Sequence, residues 1–146
     1  MNILVVEDRG TVSFYLAEAL QAEGHVVLEA FNTNDAQAHW DNRGTTPIDC
    51  MIVDLQMPQD GLTEAEKKES RGGKLTGWLW LRSYVLPNAP AEYRSRVIIY
   101  TDYLRDLGEF ARAGECQGIW LVPKRSPSNG AGEVLKRVRE IGGMGR

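Results

Sequence analysis

Cysteine and histidine are scarce in this 146-residue chain, with two of each. Two cysteines cannot build the disulfide framework of a small secreted scaffold. Cys50 and Cys116 sit within or beside apolar runs, which predicts a reduced, buried state in a cytoplasmic protein. A disulfide or metal pair is the alternative, without ligand spacing to support it. His25 and His39 are isolated, which predicts strand or helix surface positions rather than ligands. No apolar stretch reaches bilayer length, so no membrane span is predicted. A basic excess is also missing. The net charge is -3, which argues against bulk attraction to nucleic acid or an anionic membrane while leaving room for a local patch. The N-terminus runs straight into an apolar stretch, with neither a basic leader nor a cleavage site.

What is present is ordinary globular composition, 42% hydrophobic and 25% charged, at a length that suits one domain with a real core. Short apolar runs alternate with amphipathic stretches. Strands are predicted over 2–6, 25–30, 48–53, 97–100 and 119–122. Helices are predicted over 11–23, stopped by Gly24, and over a stretch containing Ala36, Ala38 and Trp40, capped by Asn32 or Thr33. Further helices are predicted over 77–86, 103–113 and 132–141, and the tail 142–146 is expected to fray. Strands alternating with helices imply a parallel sheet covered on both faces. Residues 59–76 break the rhythm with a charged segment holding the pair Gly72-Gly73. A connection this long is functional or a mobile solvated loop, and Glu64–Glu69 can make a short helix within it.

Chemistry collects where the predicted strands end. Glu7-Asp8 ends the first run and Asp54 the third; Thr101 follows the fourth and Lys124 the fifth. Carboxylates at the ends of buried strands are costly unless compensated. If the first and third strands are neighbours, three carboxylates crowd one site. A hard divalent cation, a raised pKa or a nearby Lys relieves such crowding. In doubly wound sheets ligands bind at these carboxyl ends.

This ordered set, Glu7-Asp8, Asp54 with Met57-Pro58, Thr101 and Lys124, resembles the receiver domain of two-component response regulators. The resemblance covers nearly the whole chain, with 59–76 as an insertion between strand 3 and helix 3. It implies a flavodoxin-like, five-stranded α/β fold of strand order 2-1-3-4-5, a single domain over 1–146 and no output domain. It implies that Asp54 accepts a phosphoryl group from a histidine kinase or phosphotransfer protein. Mg2+ is then held by Asp8, Asp54 and the Gln56 backbone carbonyl, with Glu7 directly or through water. Thr101 and Lys124 hold the phosphoryl oxygens. The expected output is phosphorylation-dependent binding of a downstream protein rather than enzymatic turnover, in the cytoplasm, with no nucleic acid or membrane partner.

Three positions depart from the pattern. Asp102 stands where the family has a small residue, which predicts altered phosphorylation or dephosphorylation kinetics. Pro123 precedes the Lys instead of following it. Leu121 occupies the position of an aromatic that turns inward on activation, with Trp120 one residue away; either a bulge restores Trp120 or this switch is absent. The alternative function is a pseudo-receiver, a protein-binding scaffold that is never phosphorylated. A Mg2+-dependent phosphohydrolase is disfavoured because Asp54-Leu55-Gln56 lacks a second acid, and flavin binding because no phosphate-cradling loop follows the first strand.

Overall fold

The computed structural model describes residues 1–124 and 127–144. Five strands, β1 (Asn2–Val6), β2 (Val26–Ala30), β3 (Cys50–Val53), β4 (Val97–Thr101) and β5 (Trp120–Pro123), pair in parallel in the order β2-β1-β3-β4-β5. The expected strand order is therefore correct. The helices are α1 (Gly10–Ala22), α2 (Thr33–Asp41), α3 (Glu64–Glu69), α4 (Thr76–Trp80), α5 (Gly108–Arg112) and α6 (Pro127–Met144). No described helix is long and apolar enough to cross a membrane.

The central strands read as unbroken apolar runs because both faces of the sheet are covered. On one face Ile3, Val5, Ile52, Ile98 and Val122 pack against Leu16 and Leu20 of α1 and Val134, Val138 and Ile141 of α6. On the other, Leu4, Val6, Met51, Val53 and Ile99 pack against Ala36 and Trp40 of α2 and Trp78 and Leu79 of α4. Asn32 caps α2, its side chain accepting from the Asp35 amide at 2.8 Å. Cys50 and Cys116 are both free and buried. His25 Nδ1 meets the N-terminal ammonium at 3.1 Å, and His39 Nε2 meets the Glu29 carbonyl at 3.1 Å.

Several boundaries differ from expectation. β3 starts at Cys50; at Asp49 the backbone amide still donates to the Asn2 carbonyl at 2.8 Å, but the Asn2 amide is taken by the Asp49 side chain, at 2.8 Å. The helix expected over 77–86 is α-helical only to Trp80, then widens into a π turn over Leu81–Val85. The helix expected over 103–113 is a 3-10 turn, Leu104–Leu107, followed by the short α5. The last helix starts earlier, at Pro127, and continues through Met144 instead of fraying from 142; Gly145 and Arg146 lie outside the described residues.

The segment 59–76 is folded onto the body rather than solvated. Thr63 Oγ1 accepts from the Glu66 amide and Glu66 Oε1 from the Thr63 amide, a reciprocal cap that starts α3. Ser70 is fully buried and accepts from the Gln59 amide group at 2.6 Å and from the Gly73 amide at 3.2 Å. Arg71 donates to the Asp106 carbonyl at 3.0 Å and pairs with the Glu109 carboxylate, tying the segment to the 3-10 turn and α5.

The start of α4 lies against the end of β3. The Gly77 amide donates to the Leu55 carbonyl at 2.9 Å, and a Cβ on Gly77 would stand 2.0 Å from the Asp54 carbonyl oxygen. No side chain fits there. Gly77→Ala is expected to destabilise the protein by on the order of 3 kcal/mol, the upper part of the usual cost of overpacking. Gly132→Ala is the control, because a Cβ there meets nothing within 4 Å. Urea melts of both variants check this; equal midpoints would contradict the close approach.

Candidate functional site

Parallel register brings the predicted acids together. Val6 pairs with Val53, and the Asp54 amide donates to the Val6 carbonyl at 2.9 Å, so Glu7 and Asp54 leave the sheet side by side. Both are buried, whereas Asp8 is exposed. One carboxylate oxygen from each of Glu7, Asp8 and Asp54 lies within 4.8 Å of the others. Lys124 reaches across from the end of β5, its Nζ donating to Glu7 Oε2 at 2.8 Å and to Asp54 Oδ2 at 3.0 Å. The Lys124 amide donates to the Thr101 carbonyl at 3.0 Å, which fastens this loop to the end of β4.

The electrostatics follow from burial. Desolvation first, and the Asp54 charge second, push the Glu7 carboxyl up to about 7, against the pull of Lys124. Burial pulls the Lys124 ammonium down, but the two carboxylates outweigh it and its pKa ends above the usual range. The cluster is therefore a buried ammonium shared by two acids, one of them close to half-protonated near neutral pH.

Thr101 is fully buried, and its Oγ1 accepts from the Tyr103 amide at 3.2 Å, so the hydroxyl proton is free for another acceptor. Beside it an open cleft of about 540 Å³ is lined by Thr101, Asp102, Leu104, Arg105, Asp106, Pro123 and Lys124. Asp102 is exposed at this mouth. The Gln56 amide faces Asp54 Oδ1 at 3.4 Å. The structure thus gathers Glu7, Asp8, Asp54 and Lys124 in direct proximity, with Thr101 and Gln56 at their edge.

The β4–β5 register runs without interruption from Ile98–Trp120 to Thr101–Pro123. No bulge restores Trp120, so Leu121 stands at the aromatic's position and is 39% exposed. Trp120 faces the other side, under the Arg137 guanidinium at 4.7 Å. One site residue escaped sequence reasoning. Val53 pairs with Ile99, which puts Tyr100 in the row of Glu7 and Asp54, and its ring centroid is 5.3 Å from Lys124 Nζ. Counting back one residue from Thr101 on a period of two identifies that row.

Solved structures match this fold over nearly the whole chain. At 26% identity and a TM-score of 0.56, 97% of the chain is similar to 98% of the receiver domain of the hybrid histidine kinase CckA. At 16% identity and a TM-score of 0.65, 96% of it is similar to 97% of the chemotaxis response regulator CheY4 of Vibrio cholerae. At 18% identity and a TM-score of 0.65, 92% of it is similar to 89% of the Mn(2+)-bound form of the response regulator Rcp1. No protein-family model matches the sequence, and no curated protein does. The chain has the flavodoxin-like fold of response regulator receiver domains.

A raised acid has a definite effect on stability. Glu7 titrates near the ordinary 4.5 in the unfolded chain and near 7 in the fold. The fold therefore holds that proton more tightly. The stabilising contribution is full below about 4.5 and is lost as pH rises through about 7. Without divalent cations, the melting temperature is expected to fall between about pH 5 and about pH 8, and to fall less in Glu7→Gln. Parallel slopes for the two proteins would show that Glu7 does not titrate in this window.

Proposed function

We propose that this chain is a phosphoacceptor receiver, in which Asp54 takes a phosphoryl group from the phosphohistidine of a histidine kinase or phosphotransfer protein. The observation that carries this is the convergence at Asp54, a buried carboxylate flanked by Glu7 and Asp8 and paired with the Lys124 ammonium at 3.0 Å. An Asp54 oxygen attacks phosphorus, a P–O bond forms as the P–N bond breaks, and the departing imidazole nitrogen keeps the electron pair and takes up a proton. Positioning and charge neutralisation carry most of such a transfer. Lys124 already stands at Asp54 and can pass to a phosphoryl oxygen with little movement. Thr101 offers its free hydroxyl proton to another.

The donor set suits a hard divalent cation. Three carboxylate oxygens within 4.8 Å of one another, one of them on exposed Asp8, can close around Mg2+, with the Gln56 backbone carbonyl as a further oxygen ligand. When bound, the ion neutralises negative charge on the phosphoryl oxygens. Glu7's bond to Lys124, 2.8 Å long, must loosen before Glu7 can join that set. Downstream, the phosphorylated form is read by a protein partner, in the cytoplasm and without nucleic acid or membrane.

The second reading, a pseudo-receiver scaffold, draws on exposed Leu121 in place of an aromatic and on exposed Asp102 at the mouth of the site. Acetyl phosphate with Mg2+ separates the two. Intact mass is expected to show one added phosphoryl group that requires both Asp54 and the metal, tested with Asp54→Ala and a chelator. No added mass, together with no binding of beryllofluoride, would favour the scaffold.

Asp102 bears on lifetime. Asp102 lines the same cleft as Thr101 and Lys124, where its negative charge opposes an incoming anion. Asp102→Ala is expected to change the lifetime of the Asp54 phosphoryl group severalfold, read by loss of the added mass over time. Equal lifetimes in variant and wild type would dismiss this role.

A further inference from the structure

We infer that Tyr100 is a positioning residue for Lys124, its ring face holding the ammonium over Glu7 and Asp54. The effect on phosphoryl chemistry rests on the receiver reading; the contact itself does not. The ring centroid is 5.3 Å from Lys124 Nζ, within the range of a cation–π contact. Glu7 and Asp54 occupy two of the three N–H donors of Lys124. The ring supplies a third attraction besides the two carboxylates.

Two features show that the fold accommodates this ring. Tyr100 is 6% exposed, and α6 brings Gly130 against it: a Cβ there would lie 2.9 Å from both Cε1 and the hydroxyl oxygen. A larger residue at 130 would push the ring from its place. In addition, the gap between Val12, Leu16, Glu7, Asp54 and Tyr100 is too narrow for a water molecule. The ring thus helps close the α1 side of the cluster, while Lys124 also lines the cleft on its other side. A lysine stem is flexible, and Asp102 in that cleft offers a competing carboxylate. Without the ring, Lys124 gains the freedom to turn toward Asp102 and away from the reacting atoms.

The test uses full-length protein carrying 13C-labelled lysine. In wild type, the Lys124 methylene protons next to the ammonium are expected at upfield, ring-shifted positions. The shift is kept in Tyr100→Phe and lost in Tyr100→Leu. Beryllofluoride affinity in Mg2+ is expected to weaken about fivefold in Tyr100→Leu, the size of a partly buried cation–π contact, and to be rescued in Tyr100→Phe. An unshifted Lys124 in wild type overturns the inference, as does wild-type affinity in Tyr100→Leu or equal weakening in both variants. If Tyr100→Leu does not fold, the wild-type shift decides. If wild type binds no beryllofluoride, the receiver reading fails, while the Lys124 shift still decides the role of Tyr100.

Discussion

The crowding of Glu7 and Asp54 governs the rest of the structure. Two buried carboxylates side by side repel each other, and each has lost its hydration. Lys124 relieves both problems at once, and it can do so only if β1, β3 and the end of β5 meet at one place. Leaving one member of such a buried ion set unpaired costs about 3–5 kcal/mol, a large share of the stability of a domain this size. The Lys124 amide bond to the Thr101 carbonyl holds the cation-bearing loop at that meeting point. The same arrangement keeps the site poised. The ammonium satisfies the acids in the resting state, yet it remains the group that an arriving anion can recruit.

How much of this was legible in the sequence follows from the same physics. The central strands were plain because a parallel sheet covered on both faces writes continuous apolar runs. Glu7, Asp8, Asp54, Thr101 and Lys124 were legible because charge and hydroxyl groups directly after such runs have few explanations. The strand order, by contrast, came from resemblance; alternation alone says only that the sheet is parallel. Tyr100 was hidden because an aromatic at the end of an apolar run looks like core, and only the pairing of Val53 with Ile99 places it beside the acids. The π turn over Leu81–Val85 was hidden as well, since Trp78, Trp80, Leu81 and Val85 fit a helical stripe whether or not one turn widens. The segment 59–76 misled through its charge. Its exposed lysines and glutamates announce solvent, while its fold depends on the few buried residues Leu62, Glu66, Ser70 and Leu75.

That segment changes what lies next to α5. None of the residues of α5 is buried, so the sheet itself holds this helix weakly. Arg71 supplies ties from outside, to the Asp106 carbonyl and to Glu109. Arg82 stands near the Phe110 ring at 6.0 Å and bonds Glu69 at 3.1 Å, so a second cation links α3, the π turn and α5. Lys74 lies 5.9 Å from the Tyr103 ring, and the Tyr103 amide bonds Thr101 Oγ1. Exposed pairs of this kind contribute little singly. Together they tie the inserted segment and the π turn to α5 and the turn before it.

The geometry at Thr101 limits how a signal could leave Asp54. Its oxygen already accepts the Tyr103 amide, so donating its proton to a new anion need not break that bond; turning the side chain would. Lys124 Nζ already bonds two carboxylates at once, so exchanging one oxygen for another need not displace the ammonium. Charge at Asp54 can therefore change while the surrounding side chains stay close to their places. On the proposed receiver reading, a protein partner that distinguishes the two states reads charge at the cleft mouth, or small shifts passed along Thr101, Tyr103 and the segment packed on α5. A bistable element is needed for larger change, and α5, none of whose residues is buried, is one that the fold holds lightly.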